Sequence, residues 1–322
     1  MITITWHHVV TNGRSKSHHH LVGKYPRGRR LRTSAAFTPI AEVQVTDDSS
    51  NENDTAAHWE NQLADTIRPS FQQQTPLVLR QAIRHVPAMQ RWPQFLSLWP
   101  QELPAHQLGA VEIGGSYATA ERAEIPIHDY LHYLQFFEER HGRKGPEDPW
   151  QLDDASTTST TYIDPQELVY MAQNDLPLPL YKDIAIPKFC QEQGYQVGHG
   201  RLYSVMMWVG PRGCQSPLHF DPLDNLLMQL VGRKVVWLFD PHHQKDGEGG
   251  MWHYAGHDGQ QSNTSPVHPE NVDTTKYPRF LEEGPPALRC VLEPGDVLYI
   301  PSKWWHFVRS VDTSISVNVW WR

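Results

Sequence analysis

The residues of this sequence best suited to do chemistry are two histidines and an aspartate. In the motif Ser216-Pro-Leu-His219-Phe-Asp221, His219 and Asp221 lie two positions apart, so a strand directs both to the same face. His306 follows a Pro-Gly turn and a short apolar run, which can bring it to the same ion as a third ligand. Two histidines and one carboxylate leave three positions of an octahedron open, which suits non-haem Fe(II), whereas zinc more often completes a tetrahedron.

A lysine at a fixed distance from this motif strengthens the prediction. An H-x-D dipeptide alone is weak evidence in a chain with 19 histidines. Lys234 follows His219 by fifteen residues, after one strand and a Gly-Arg turn, so it can project into the same barrel mouth. A buried lysine needs an anionic partner, and the distal carboxylate of 2-oxoglutarate is a candidate that Ser216 and Asn225 could share. If the strand faces outward, Lys234 is an ordinary surface residue.

The elements that must position these residues are short strands. The final run, from Ser314 to Trp321, alternates apolar and polar residues with period two. Further predicted strands are Leu202–Val209, Asn225–Val231, Lys234–Phe239, Arg289–Leu292 and Asp296–Ile300. Short strands joined by Gly/Pro turns predict a mainly β fold with flanking helices, a jelly roll or double-stranded β-helix.

The N-terminal half carries helical patterns. The spacing of apolar residues predicts an amphipathic helix from His58 to Ile67, ended by Pro69, and a second from Ile127 to Arg140. We predict four parts of the chain: a basic, disordered arm and linker (1–56), an N-terminal part that packs on the barrel (57–140), a polar surface insertion (141–161), and the catalytic barrel (162–322) with a long loop at 242–287.

The overall composition limits the class of protein. The net charge is −8, which argues against nucleic acid as the main partner, and no stretch approaches the ~20 apolar residues of a membrane helix. Three dispersed cysteines fit a reducing, intracellular location, in the nucleus or cytoplasm. Residues 1–41 lack Asp and Glu, so an organelle transit peptide, a nuclear signal and a solvated arm all remain open. The oligomeric state is also open.

The sequence resembles the JmjC-domain 2-oxoglutarate oxygenases over roughly residues 58–322. The resemblance lies in the segments 208–225, 229–234, 292–306 and 314–321 and extends upstream to 111–117, 168–176 and 183–190. It is strongest to the small, single-domain hydroxylase branch of that family. It implies a cupin-like barrel that binds Fe(II) and uses 2-oxoglutarate and O₂ as cosubstrates.

The resemblance also implies roles for individual residues. It places His219, Asp221 and His306 on iron. It places Tyr170, Ser216, Asn225 and Lys234 around 2-oxoglutarate. On the substrate side it implies Glu112, Tyr117 and Trp208. Glu112 could pair with a guanidinium and Trp208 could stack on it. Alternatively, Trp208 packs the barrel and Glu112 is a surface charge.

We therefore expect hydroxylation of a protein or peptide side chain, with arginine favoured over lysine and with succinate and CO₂ released. N-methyl-lysine demethylation, as of a histone, is the alternative reaction. A non-enzymatic metal-binding cupin is the alternative of another class, and the spacing of Lys234 argues against it. A hydroxylase of a small molecule or an RNA base on the same scaffold also stays open.

Overall fold

Two β-sheets and four α-helices form the part of the chain that the structure describes. The computed structural model describes residues 38–45, 55–114, 120–152, 163–241, 263–278, 280 and 286–322. The helices are α1 (Thr55–Gln73), α2 (Pro87–Arg91), α3 (Phe95–Glu102) and α4 (Ile127–His141). The strands are β1 (Thr38–Pro39), β2 (Ala41–Gln44), β3 (Leu77–Arg80), β4 (Leu108–Ile113), β5 (Glu121–Pro126), β6 (Val169–Asp175), β7 (Leu202–Gly210), β8 (Gln215–Phe220), β9 (Asp224–Val231), β10 (Lys234–Phe239), β11 (Leu288–Leu292), β12 (Val297–Ile300), β13 (Trp305–Ser310) and β14 (Ser314–Trp321).

The two sheets pack face to face. The small sheet has the order β1-β11-β10-β13-β8, and the large sheet has the order β2-β3-β12-β9-β14-β7-β6-β4-β5. Apolar side chains from both sheets meet between them, for example Val236 of the small sheet and Leu227 of the large sheet. The mainly β jelly roll expected from short strands and Gly/Pro turns is confirmed, because β7, β9, β10, β11, β12 and β14 occupy the six predicted runs.

The first predicted helix is longer than the sequence suggested. Pro69 was expected to end it, but α1 continues to Gln73 with Pro69 inside. A proline in a helix costs about 3 kcal/mol through one lost hydrogen bond and a steric clash. The apolar face of α1, which includes Trp59, Leu63 and Ile67, is fully packed in the core, and this burial offsets that cost. The helix ends before Gln74, whose φ is 52°.

Residues 38–45 differ from the predicted disordered arm. They form β1, parallel to β11, and β2, parallel to β3, so this segment contacts the edges of both sheets. Ile40 and Val45 are buried, which gives the segment an apolar anchor that its polar surroundings in the sequence concealed. The rest of the predicted arm, apart from the start of α1, lies outside the described residues.

Two other segments lie against the small sheet. Within the predicted insertion, the Trp150 ring packs on Trp237 at 5.8 Å between centroids, and Arg233 donates to the carbonyl of Pro146. Within the long connection, Asn263 and Ser265 make backbone hydrogen bonds to β8. Trp150 thus covers part of the outer face of the sheet that carries the predicted metal ligands, and residues 263–265 extend that sheet at its edge strand β8. Residues 153–162, 242–262, 279 and 281–285 lie outside the described part of the chain.

Candidate metal centre

The three predicted metal ligands converge at one end of the small sheet. The antiparallel register of β8 and β13 places His306 opposite His219, and Asp221 follows β8 directly. The Asp221 carboxylate lies 3.9 Å from His219 Nε2 through Oδ1 and 3.7 Å from His306 Nε2 through Oδ2. One ligand atom from each of the three residues lies within 4.8 Å of the others. The arrangement can therefore hold one metal ion.

Local hydrogen bonds set the orientation of both imidazoles. His219 Nδ1 is 2.7 Å from the carbonyl of Pro217, and His306 Nδ1 is 2.9 Å from the carbonyl of Trp304. Each carbonyl can only accept, so each Nδ1 carries the proton and donates it. Each Nε2 is then left with a free lone pair directed toward the carboxylate, which is the tautomer that a metal ligand requires.

Burial keeps His306 in the form that binds metal. Removal from water, assisted by the neighbouring His219, lowers the pKa of His306 to about 4, although Asp221 acts in the opposite direction. A neutral imidazole binds a cation without first losing a proton. The donor set of two imidazole nitrogens and one carboxylate oxygen fits Fe(II) with three positions open.

A deep cavity continues from the triad to Lys234. This inner chamber is lined by the triad and by Tyr170, Ser216, Asn225, Lys234, Asn318 and other residues. Lys234 is only 1% exposed. Its Nζ donates to Ser316 Oγ at 2.5 Å and to the Tyr170 hydroxyl at 3.4 Å. Within the described residues, no carboxylate forms an ion pair with this lysine.

The lack of a charged partner is reflected in the acidity of Lys234. Burial lowers the pKa of its ammonium group to about 7, because a low-dielectric site disfavours the charged form. The Tyr170 hydroxyl stays protonated, because burial raises its pKa far above the usual range. The chamber thus offers a cation and a hydroxyl donor to an anion. It therefore fits a cosubstrate that carries a carboxylate at its far end.

The remaining predicted chamber residues lie on the surrounding strands. Ser216 on β8 hydrogen-bonds the Tyr170 hydroxyl. Asn225 on β9 is fully buried and accepts a hydrogen bond from Asn318 Nδ2 at 2.9 Å. All four residues predicted around 2-oxoglutarate therefore line one cavity.

Two residues of this site were not predicted from the sequence. Ser316 accepts a hydrogen bond from Lys234, and Trp320 Nε1 donates to Asp221 Oδ2 at 3.0 Å. Both lie on β14. The period-two pattern of that strand was recognised, and it puts Ser316, Asn318 and Trp320 on one face. That shared face was a local signal that both residues accompany Asn318, although their hydrogen-bond partners depend on long-range packing.

A second cavity opens from the triad to the outside. This vestibule is lined by Glu112, Gln173 and Asn263 among others, and it shares Trp208, Ser216, His219, Asp221 and Trp320 with the inner chamber. Glu112 on β4 is opposite Tyr170 on β6, which explains why its side chain reaches the cavity. Tyr117, the third predicted substrate residue, lies outside the described part of the chain.

Glu112 is a half-buried carboxylate with a cationic partner. Its Oε1 lies 3.2 Å from Arg122 Nη2 on the neighbouring strand. Burial raises the pKa of Glu112, and Arg122 opposes that shift. The Trp208 ring packs at 5.9 Å from the Tyr170 ring, between the two cavities, and its buried Nε1 has no hydrogen-bond partner among the residues that the structure describes. The vestibule therefore presents a carboxylate and an indole to an incoming group.

The fold and the site define a cupin-like domain with a JmjC-type arrangement of residues. The profile of the cupin-like domain family matches residues 66–322. This is more than half of the chain, so the chain belongs to that family, and the JmjC resemblance seen in the sequence is confirmed. JmjC domains are Fe(II)- and 2-oxoglutarate-dependent oxygenases.

Curated relatives carry names that point to different substrates. The chain is similar to lysine-specific demethylase JMJ30 of Arabidopsis thaliana, with 31% identity over 79% of this chain and 52% of the relative. It is similar to Jumonji C domain-containing protein 5 of Drosophila melanogaster, with 30% identity over 78% and 55%. It is also similar to tRNA wybutosine-synthesizing protein 5 of Homo sapiens, with 33% identity over 49% and 44%. The chain thus spans about half the length of these relatives.

The described part of the chain contains four α-helices. None of the helices in this part of the chain is both long enough and apolar enough to span a membrane.

Proposed function

We propose that this chain is an Fe(II)- and 2-oxoglutarate-dependent oxygenase that hydroxylates an arginine side chain of a protein. The observation that carries the proposal is the inner chamber. It joins a two-histidine, one-carboxylate triad to Lys234, a buried cation whose described partners are the neutral hydroxyls of Ser316 and Tyr170. A cupin that only binds metal has no need for such a lysine.

Five side chains of the chamber have a defined role in this proposal. His219, Asp221 and His306 hold the metal. Lys234 and the Tyr170 hydroxyl bind the distal carboxylate of 2-oxoglutarate by charge-assisted hydrogen bonds. Bound iron, together with 2-oxoglutarate and O₂, supplies the oxidation of a substrate C–H bond, with release of succinate and CO₂.

The remaining contribution of the chain is to exclude water and to orient the groups. Lys234, Asn225 and Ser316 are buried, so the chamber is dry around the cosubstrate. Electrostatic contacts are stronger in such a site than in water. The Nδ1 hydrogen bonds of His219 and His306 fix the ring orientations and keep both Nε2 atoms available to a metal.

The vestibule supports arginine as the substrate residue. Glu112 already pairs with a guanidinium, that of Arg122, so its carboxylate is placed and oriented for this group. A substrate arginine entering the vestibule would exchange with Arg122 or share the carboxylate with it. The indole of Trp208 offers a face on which a planar guanidinium can stack. A lysine ammonium would gain the charge interaction but not the planar stacking.

A second candidate is demethylation of N-methyl-lysine. Its support is that relatives of this chain are named lysine-specific demethylases. The same chamber would bind the cosubstrate, and the methylated ammonium group of the substrate would occupy the vestibule in place of the guanidinium. A protein substrate and an intracellular location remain parts of the proposal.

The test is to incubate the protein with Fe(II), 2-oxoglutarate and matched peptides that contain arginine, lysine or methyl-lysine. Succinate is measured together with the peptide mass. We expect the arginine peptide to gain one oxygen atom in step with succinate. Loss of a methyl group from the methyl-lysine peptide would favour demethylation. Asp221→Ala serves as the inactive control. Metal binding without 2-oxoglutarate turnover on any peptide would favour the non-enzymatic cupin.

A further inference from the structure

The three metal ligands are oriented in two different ways. Each imidazole is fixed by a backbone carbonyl two residues earlier in the chain, that of Pro217 or Trp304. Asp221 follows the end of β8, and its carboxylate accepts a hydrogen bond from Trp320 Nε1 at 3.0 Å. Trp320 lies on β14 in the opposite sheet. The aspartate is therefore held across the barrel, not by its own strand.

The surroundings make this hydrogen bond effective. Trp320 is largely buried, and its register pairs it with Asn225 on β9 and with Ser204 on β7, so the indole is fixed between two neighbouring strands. Asp221 is more open, with 20% of its side chain exposed to solvent. A carboxylate at the mouth of a cavity can rotate toward water unless a donor restrains it.

We propose that Trp320 is a positioning residue of the metal centre: its indole N–H holds the Asp221 carboxylate in the rotamer that faces the two imidazoles. This inference rests on the proposed function, because it presumes that the triad binds metal. Residues that hydrogen-bond to metal ligands commonly contribute 10–100-fold to metal affinity, and we expect an effect in that range.

The experiment uses Mn(II), which takes oxygen and nitrogen ligands and is not oxidised by air. The signal of free Mn(II) in electron paramagnetic resonance gives the dissociation constant directly. We expect Trp320→Phe to weaken Mn(II) binding about 10–100-fold. The absorption spectrum of bound Co(II) should also change, because the carboxylate is no longer held in one orientation. Loss of packing alone would not produce this spectral change.

Trp59→Phe is the matched control. Trp59 is also buried and also donates its indole N–H, to the carbonyl of Ala82 at 2.7 Å. It lies on α1, however, and lines neither of the cavities at the triad. Its replacement should lower the melting temperature and leave the Mn(II) affinity unchanged. Replacement of Trp320 by 3-benzothienylalanine, which exchanges the N–H for sulfur and keeps the ring shape, provides a second variant if Trp320→Phe does not fold.

The outcomes separate this inference from the function on which it rests. Weaker Mn(II) binding and an altered Co(II) spectrum in the Trp320 variants, with normal values in Trp59→Phe, support the inference. Wild-type affinity and spectrum in the Trp320 variants would overturn it while leaving the metal site in place. Failure of the wild-type protein to bind Mn(II) would overturn the proposed function, and the inference with it.

Discussion

The inner chamber and the vestibule meet at the metal triad and share part of their lining, but each also has lining residues of its own. The chamber lies between barrel strands, and its polar residues, such as Lys234 and Asn225, are almost completely buried. The vestibule is lined by β4, by the exposed Gln173 of β6 and by Asn263 of the long connection. The vestibule thus adds residues of β4, of the outer part of β6 and of the long connection to the wall that it shares with the chamber, and these added residues shape the access of the substrate. Substrate choice can therefore vary without disturbing the metal centre.

The largest expected effect comes from the triad, where the two cavities meet. Asp221→Ala should abolish 2-oxoglutarate turnover with or without peptide, because two imidazoles alone bind the metal weakly. The melting temperature should stay near that of the wild type, since the carboxylate is not part of the apolar core. Succinate formation and thermal unfolding measure the two properties. Asp129→Ala, an exposed acid of α4, is the control. Full turnover by Asp221→Ala would remove this residue from the metal site.

The next effect is confined to the inner chamber. Lys234→Ala should lower the affinity for 2-oxoglutarate about 10–100-fold, since a charge-assisted hydrogen bond contributes roughly 1.5–3 kcal/mol. Metal affinity should change little, because Lys234 is not a ligand. Lys234→Arg should rescue only in part, because the guanidinium is larger and planar. Calorimetric titration of 2-oxoglutarate measures this, with the exposed Lys182→Ala as the control. Unchanged affinity in Lys234→Ala would place the cosubstrate elsewhere.

The inner chamber should also make binding of 2-oxoglutarate depend on pH. Burial lowers the pKa of free Lys234 to about 7, and a bound carboxylate raises it again. The bound state then holds a proton that the free state loses above pH 7. Affinity should therefore be constant below pH 7 and fall by up to about tenfold per pH unit above it. Tyr170 and Cys214, which also face Lys234, have raised pKa values and stay neutral in this range.

Calorimetry between pH 6 and 9 measures the pH dependence, with buffer ions of different protonation enthalpy to count the protons taken up. In Lys234→Ala the slope should disappear. A flat profile for the wild-type protein would mean that Lys234 is charged before the cosubstrate arrives.

The smallest expected effect belongs to the vestibule. Glu112→Gln keeps the shape and removes the charge, so KM for an arginine peptide should rise about tenfold, consistent with the loss of one charge-assisted hydrogen bond. The affinity for 2-oxoglutarate should change much less. Steady-state kinetics with the peptide measures KM. Glu121→Gln, an exposed acid on the adjacent β5, is the control. Equal loss of peptide and 2-oxoglutarate binding would contradict the separation of the two cavities.

Some residues of the site could be predicted from the sequence and others could not. His219 and Asp221 share the local H-x-D spacing, Lys234 follows at a short fixed distance, and His306 follows a turn and a strand, so residue types and spacing, together with the family resemblance, predicted one site. The hydrogen bonds of Trp320 and Ser316 depend on which strand of the large sheet faces β8 and β10. That pairing is set by long-range packing and leaves no local signal.

Other features escaped prediction for the same reason. The strands at residues 38–45 pair with strands far along the chain, so a polar, basic context concealed them. α1 passes through Pro69 because core packing outweighs the local preference of proline. The prediction that Glu112 faces the substrate also depended on the family resemblance, because Tyr170, which pairs with Glu112 in the sheet, lies far away in the sequence.

The central claim is that the triad and Lys234 bind iron and 2-oxoglutarate in one chamber. Its most direct test is an anaerobic titration of the protein with Fe(II) and then with 2-oxoglutarate, followed by visible absorption. Chelation of iron by the keto acid should give a charge-transfer band that saturates at one equivalent per chain in the wild type. The same band should require about 10–100-fold more 2-oxoglutarate in Lys234→Ala and be absent in Asp221→Ala. A wild-type protein that binds Fe(II) but shows no such band with 2-oxoglutarate would contradict the claim.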